Sequence, residues 1–203
     1  MDARTKKERA LIRKYARNIV RVYNEAPEHV RRHAAEWYAV ESDALACLAF
    51  DLGLSVRAVC GAAAAISPGM RWELVPDYVR ALATAADPGS VRVPTYSSEF
   101  TARALACLSG ADPLEVLGGP KVRAFYALLY TRGQSDSVVI DGHAFNIARG
   151  ERAPIRGAKV PQAARVTAAR YRWAEAAYRA AARLLGLEPH ALQAITWTHW
   201  RTV

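Results

Sequence analysis

Between Ser55 and Gly69 the chain reads S-VRAVCGAAAAI-SPG, and no other stretch limits the fold as tightly. Ser55 suits a helix N-cap, and no breaker follows until Pro68, so a helix is predicted over 56–66. Apart from Arg57 its side chains are small or apolar on every side, which leaves it no face to give to water. Such a helix belongs at the centre of a helical packing, with neighbours close all round. Its apolar run from Val59 to Ile66 is rich in alanine and too short to cross a bilayer, so its cover is expected from neighbouring helices.

The remainder supplies them. Residues 3–24 place Leu11, Ile12, Tyr15, Ile19, Val22 and Tyr23 at helical spacing, with lysine and arginine elsewhere. Pro27 opens a second helix through about Phe50, which Gly53 ends. Further helices are expected at roughly 71–86, from Ser98 to Leu108, from Asp112-Pro113 and again from Pro120. A short one follows Asp141, the longest runs from about Ala163 to Leu185 before Gly186, and a last one begins at Pro189. Residues 87–97 read as a Pro/Gly/Ser loop. Val138–Ile140 is too short to decide between an extended segment and a turn. No hydrophobic alternation of strand length and no fixed-period repeat occurs, so the expected class is all-α, in one domain over 1–203.

Twenty-eight basic against 19 acidic residues give a formal charge of +9. That balance favours a polyanion as partner, with nucleic acid ahead of an anionic membrane surface. Cys47, Cys60 and Cys107 lie far apart in apolar runs, which writes neither a zinc site nor an iron–sulfur cluster. No cofactor or metal is expected, and the odd cysteine count with no signal peptide points to a reducing cytoplasm.

The stretch best suited to chemistry is DPLEVLGGPKVRAFYALLYTRGQSDSVVIDGHAFNIAR, residues 112–149. It reads as a short helix, a Gly118-Gly119-Pro120-Lys121 hairpin and a second helix (112–132). An apolar run and Asp141-Gly142-His143 follow, then one more helix (138–149). The N-terminus of a helix carries unpaired N–H groups and partial positive charge, and both suit a phosphate oxygen. Glycine lets that oxygen approach without a Cβ in the way. The same residues also suit a plain helix corner, and Asp141 also suits a plain N-cap.

This stretch resembles the helix-hairpin-helix DNA glycosylase superfamily, the all-α group with the endonuclease III-like fold, and in particular its small phage and bacterial branch. Members carry L-x-G-x-G-x-K between two helices and, some twenty residues on, an apolar stretch ending V-D-T-H with a catalytic Asp. Here the hairpin reads Val116-Leu117-Gly118-Gly119-Pro120-Lys121, the later motif reads Val139-Ile140-Asp141-Gly142-His143, and Asp141 follows Lys121 by 20 residues. Leu117 stands where the first hairpin glycine is usual, Gly142 replaces the Thr, and the C-terminal cluster cysteines are absent.

The resemblance implies about ten helices in two lobes with a cleft between them, and a monomer bound to double-stranded DNA in the cytoplasm or nucleoid. It implies an enzyme that flips a damaged or modified base and hydrolyses its N-glycosidic bond. Asp141 would be the carboxylate that stabilises the oxocarbenium-like sugar. Lys121 matches the amine of members with AP lyase activity, and equally a simple phosphate contact. Gly118, Gly119, Pro120, Lys121, Arg123 and Arg149 would hold the backbone, with Lys159 as a further contact. Ser67, Met70 and Trp72 would line the base pocket or fill the gap, and His143 would support the aspartate loop. Trp37, Tyr38, Trp197 and Trp200 are other candidates for the pocket wall, and His199 and Arg201 can face solvent or nucleic acid. Some phage relatives act on hypermodified bases and some bacterial ones in defence against modified phage DNA, so one alternative keeps the fold but changes the reaction, to exchange or processing of a hypermodified phage-type base. A non-catalytic DNA-binding module is the other alternative.

Overall fold

Caps and terminators divide the chain much as their chemistry requires. The structure, a computed structural model, describes residues 5–203. Ala3 and Arg4, the start of the first predicted helix, lie outside the described residues. The described helices are α1 (Lys6–Glu25), α2 (Glu28–Ala35), α3 (Trp37–Leu52), α4 (Val56–Ile66), α5 (Val75–Thr84) and α6 (Ser98–Leu108). There follow α7 (Pro113–Val116), α8 (Pro120–Tyr130), α9 (Gly142–Arg149), α10 (Ala168–Leu185) and α11 (Pro189–Thr202). The described residues contain no strand, and the class is all-α.

Side-chain caps open several helices. Thr5 and Glu8 form a reciprocal capping box on α1. Ser55 accepts from Ala58 N, Asp112 from Leu114 N and Asp141 from Ala144 N. Several boundaries differ from the sequence expectation; the helix expected at roughly 71–86 is a 3₁₀ turn, Trp72–Leu74, followed by α5. The helix predicted from Pro27 to Phe50 breaks at Glu36, where no glycine or proline announces it. The helix expected from Ala163 starts at Ala168, because Thr167 caps it and residues 162–164 form a separate 3₁₀ turn. The guanidinium of Arg170 holds that turn by donating to the carbonyls of Gln162 and Arg165. At 18 residues α10 is therefore shorter than the 20-residue α1. Finally, Ser97 rather than Ser98 caps α6.

The chain divides into two compact units, one comprising Met1–Trp37 with Asp136–Val203, the other Tyr38–Ser135. In the first, α1 and α10 lie side by side, α9 and α11 pack against both, and α2 lies on α11. Its core joins Ile12, Ile19 and Val22 of α1 to Phe145 and Ile147 of α9 and to Tyr178 and Leu192.

In the second unit α4 is central, buried from Ala58 to Ile66 and packed by α5, α6, α7 and α8. A Cβ built on Gly61 would come within 2.7 Å of Pro113 Cγ and 2.9 Å of Cys107 Sγ. The small residues of α4 thus set how closely its neighbours approach. Burial pushes the Cys60 thiol up to about 12 and the Cys107 thiol to about 11, so both behave as small core side chains. No single helix among the described residues is long and apolar enough to cross a membrane. The α3–α4 pair reaches that length and composition only jointly, across a 117° bend.

Candidate functional site

The residues singled out by sequence divide between the two units. Asp141, His143 and Arg149 belong to the first, and the hairpin, Ser67, Met70 and Trp72 belong to the second.

In the first unit, Val138, Val139 and Ile140 are buried without forming a strand. The Tyr171 hydroxyl donates to the Val138 carbonyl at 2.8 Å, satisfying a group that burial would otherwise strand. Burial pushes the Tyr171 hydroxyl up to about 12, so it remains a donor. The chain then emerges at Asp141, half-buried and in extended conformation, as the N-cap of α9. Its Oδ1 accepts from Ala144 N at 2.8 Å, and its Oδ2 accepts from the Trp197 indole N–H at 3.0 Å. The carboxylate is thereby fixed from two elements, α9 and α11.

Cationic groups lie against the aromatic rings of α11 and act on the neighbouring His143. The Arg201 guanidinium lies 4.5 Å from the Trp197 ring centroid, and the Arg152 guanidinium 4.0 Å from that of Trp200. The His143 ring meets Trp197 edge-on at 6.2 Å. Burial holds the His143 imidazole below its ordinary value; Asp141 opposes that shift, while Arg201, Arg156 and Arg152 add to it. Three arginines thus act on the ring two residues from Asp141, and helix α9 presents its N-terminus at the same place.

One close approach accounts for the glycine after Asp141. A Cβ on Gly142 would stand 2.7 Å from Ile155 Cβ and 2.8 Å from its Cγ2, so a threonine has no room. The loop bearing Ile155 is tied down nearby, because Asn146 Nδ2 donates to the Ala153 carbonyl at 2.7 Å. Arg149, expected on phosphate, turns inward instead. It pairs with Glu151, lies 5.9 Å from the Phe145 ring centroid, and leaves only 12% of its side chain exposed.

In the second unit, Gly119 caps α8 with φ +74° and no side-chain hydrogen bond, and the space where its Cβ would point is open. That backbone suits glycine, and the first turn of α8 is left for an external acceptor. Gly118 lies against the Arg103 guanidinium, whose Nη1 is 2.5 Å from where a Cβ would be. Arg123 Nε donates to the Leu117 carbonyl at 2.7 Å and closes the corner from within. Leu117, in place of the usual glycine, is 1% exposed and anchors the hairpin in the core. Lys121 is half-buried and Pro120 exposed.

Trp72 packs edge-on against Phe125 of α8 at 5.4 Å, which places it beside the hairpin helix. Ser67 and Met70 form a turn, with Met70 N donating to the Ser67 carbonyl at 3.2 Å, and the Ser67 hydroxyl donates to Ala64. Of the other wall candidates, Tyr38 is buried against Phe125, and Trp200 is 9% exposed in the core. His199 is buried while Arg201 is exposed. Sequence reasoning missed the Trp197 bond to Asp141, the Ile155 wall and the Arg103 contact. The Trp197–Arg201 spacing of one helical turn was a readable signal for the second half of that cluster, but nothing local signalled Ile155 or Arg103.

Among the described residues no group of three His, Cys, Asp or Glu side chains is placed to hold a metal ion. No curated protein and no solved structure matches the chain. One family model matches it over residues 1–203, and the chain accordingly belongs to DUF7178, a family of unknown function.

Proposed function

We propose that the chain is a DNA glycosylase of the helix-hairpin-helix kind, hydrolysing the N-glycosidic bond of a modified base turned out of the duplex. The observation that carries the reading is Asp141, capped into α9 through Oδ1 and held by Trp197 through Oδ2, two residues from a His143 ring on which Arg152, Arg156 and Arg201 act. Each carboxylate oxygen has accepted one hydrogen bond and can accept another. An oxocarbenium-like sugar gains from a fixed negative charge that needs no reorganisation, and Arg152 and Arg201 are available for phosphate contacts. In the second unit, the uncapped N-terminus of α8 with Gly119 and Lys121 suits a phosphate.

The +9 charge agrees with a duplex as partner. His143, held neutral by burial and its arginine neighbours, supports the aspartate loop rather than carrying charge. The test is release of free base, read by mass spectrometry, from plain duplex DNA, uracil-containing DNA and hypermodified phage DNA. Base released from one of these supports the reading and names the substrate class. DNA binding with no base released from any of them rejects it. Borohydride trapping on an abasic duplex assigns Lys121. An adduct lost in Lys121→Ala makes it a lyase amine, and no adduct in the parent protein leaves hydrolysis alone.

A second reading, DNA binding without catalysis, is favoured by one observation. Asp141 already has a structural task as the cap of α9, which by itself accounts for an aspartate there.

A further inference from the structure

On the first unit, α1 and α10 border a groove of about 740 Å³ that the proposed chemistry leaves unused. Arg13, Arg17 and Arg21 line it at four-residue intervals along α1, beside the apolar Ala16, Val20, Ala180 and Leu184, with Asn24 and Glu25 at the end of α1. Arg21 pairs with Glu25 at 3.7 Å, whereas Arg13 and Arg17 have no acidic partner among the described residues. Leu184 is a large apolar side chain of this lining left 77% exposed.

The two halves of this lining ask for different things from one ligand. Arginines one turn apart recur about every 6 Å, a spacing that glutamates at i and i+4 of a second helix reproduce. Ala16, Val20, Ala180 and Leu184 offer no donor or acceptor side chain. A phosphodiester backbone laid there loses water without replacement, whereas leucine or isoleucine side chains gain by burial. Ala16 and Ala180 also leave room for a helix to approach closely.

We propose that this groove binds an acidic amphipathic helix of a protein partner. Its apolar stripe rests on Val20 and Leu184, and its carboxylates pair with Arg13 and Arg17. None of these residues is a partner of Asp141 or Trp197, so the site operates whether or not the chain cleaves a glycosidic bond.

The probe is a fluorescein-labelled synthetic peptide with leucines at i, i+3, i+4 and i+7 and glutamates flanking that stripe. It is titrated with the full chain by fluorescence anisotropy, beside a scrambled peptide of identical composition. The expected result is a dissociation constant of order micromolar, with the scrambled peptide at least about tenfold weaker. Arg13→Glu with Arg17→Glu weakens the helical peptide at least about tenfold, and Leu184→Ala about fivefold. All three side chains are exposed, so unchanged melting curves separate lost binding from lost fold, with Arg17→Ala as the milder variant. Amide shifts on peptide addition fall within 13–25 and 180–185. Equal binding of the two peptides, no binding at about 100 μM peptide, or indifference to the arginine and leucine changes overturns the proposal. So does a DNA duplex that moves the same amides and is lost on arginine reversal, an outcome that assigns the groove to nucleic acid.

Discussion

Asp141 and its neighbours carry the account at the scale of single residues. The indole of Trp197 donates to Oδ2 across 56 positions of sequence, and losing a hydrogen bond to a charged group costs about 1.5–3 kcal/mol when the site is dry. For this half-exposed carboxylate, Trp197→Phe is expected to cost about 1–2 kcal/mol in chemical denaturation. It should also lower base release far more than DNA affinity, because the carboxylate is freed to turn away. Gly142→Thr, which restores the commoner motif, collides with Ile155 and should cost about 1–3 kcal/mol. Adding Ile155→Ala should recover part of that loss, as a double-mutant cycle would register. His143 gives a pH signature. Its folded value lies below the ordinary one near 6.5, so the unfolded chain takes up the proton first as the solution is acidified. Stability is therefore full above about 6.5 and is lost as pH falls through the depressed folded value. His143→Gln should flatten the melting temperature over that interval.

Among the elements, the hairpin and α4 show what sequence can and cannot disclose. The buried helix was legible because residues 56–66 hold no polar face, and its neighbours pack on it as that composition demands. The caps at Ser55, Asp112 and Asp141 were legible too, since each oxygen acts within three residues of its own position. The break at Glu36 was not, because its residues favour helix on both sides and no local breaker marks the bend. Nor was the late start of α10, where Thr167 and the Arg170 contacts to the preceding turn outweigh the helix propensity of Ala163 and Ala164. Half of the candidate site was readable as a motif. The other half, with Trp197 from α11 and Ile155 from a loop, depends on contacts between elements. At the hairpin, Lys121→Ala should weaken DNA binding alike on all sequences. It should also reduce the slope of log K against log salt by about one phosphate contact, measured by anisotropy between low and moderate salt.

For the whole molecule, the proposal assigns one task to each compact unit. Tyr38–Ser135 carries the hairpin that would hold the DNA backbone, and the unit formed from both ends of the chain carries the carboxylate. A net charge of +9 would favour a polyanion without sequence preference. It says nothing of chemistry, and the proposed hydrolysis is placed on Asp141. The decisive measurement compares wild type and Asp141→Asn on one modified duplex, following duplex binding by anisotropy and free base by mass spectrometry. The account predicts binding within about threefold of wild type, since asparagine still caps α9, and base release reduced by at least about a hundredfold. Base release from Asp141→Asn at the wild-type rate would contradict it.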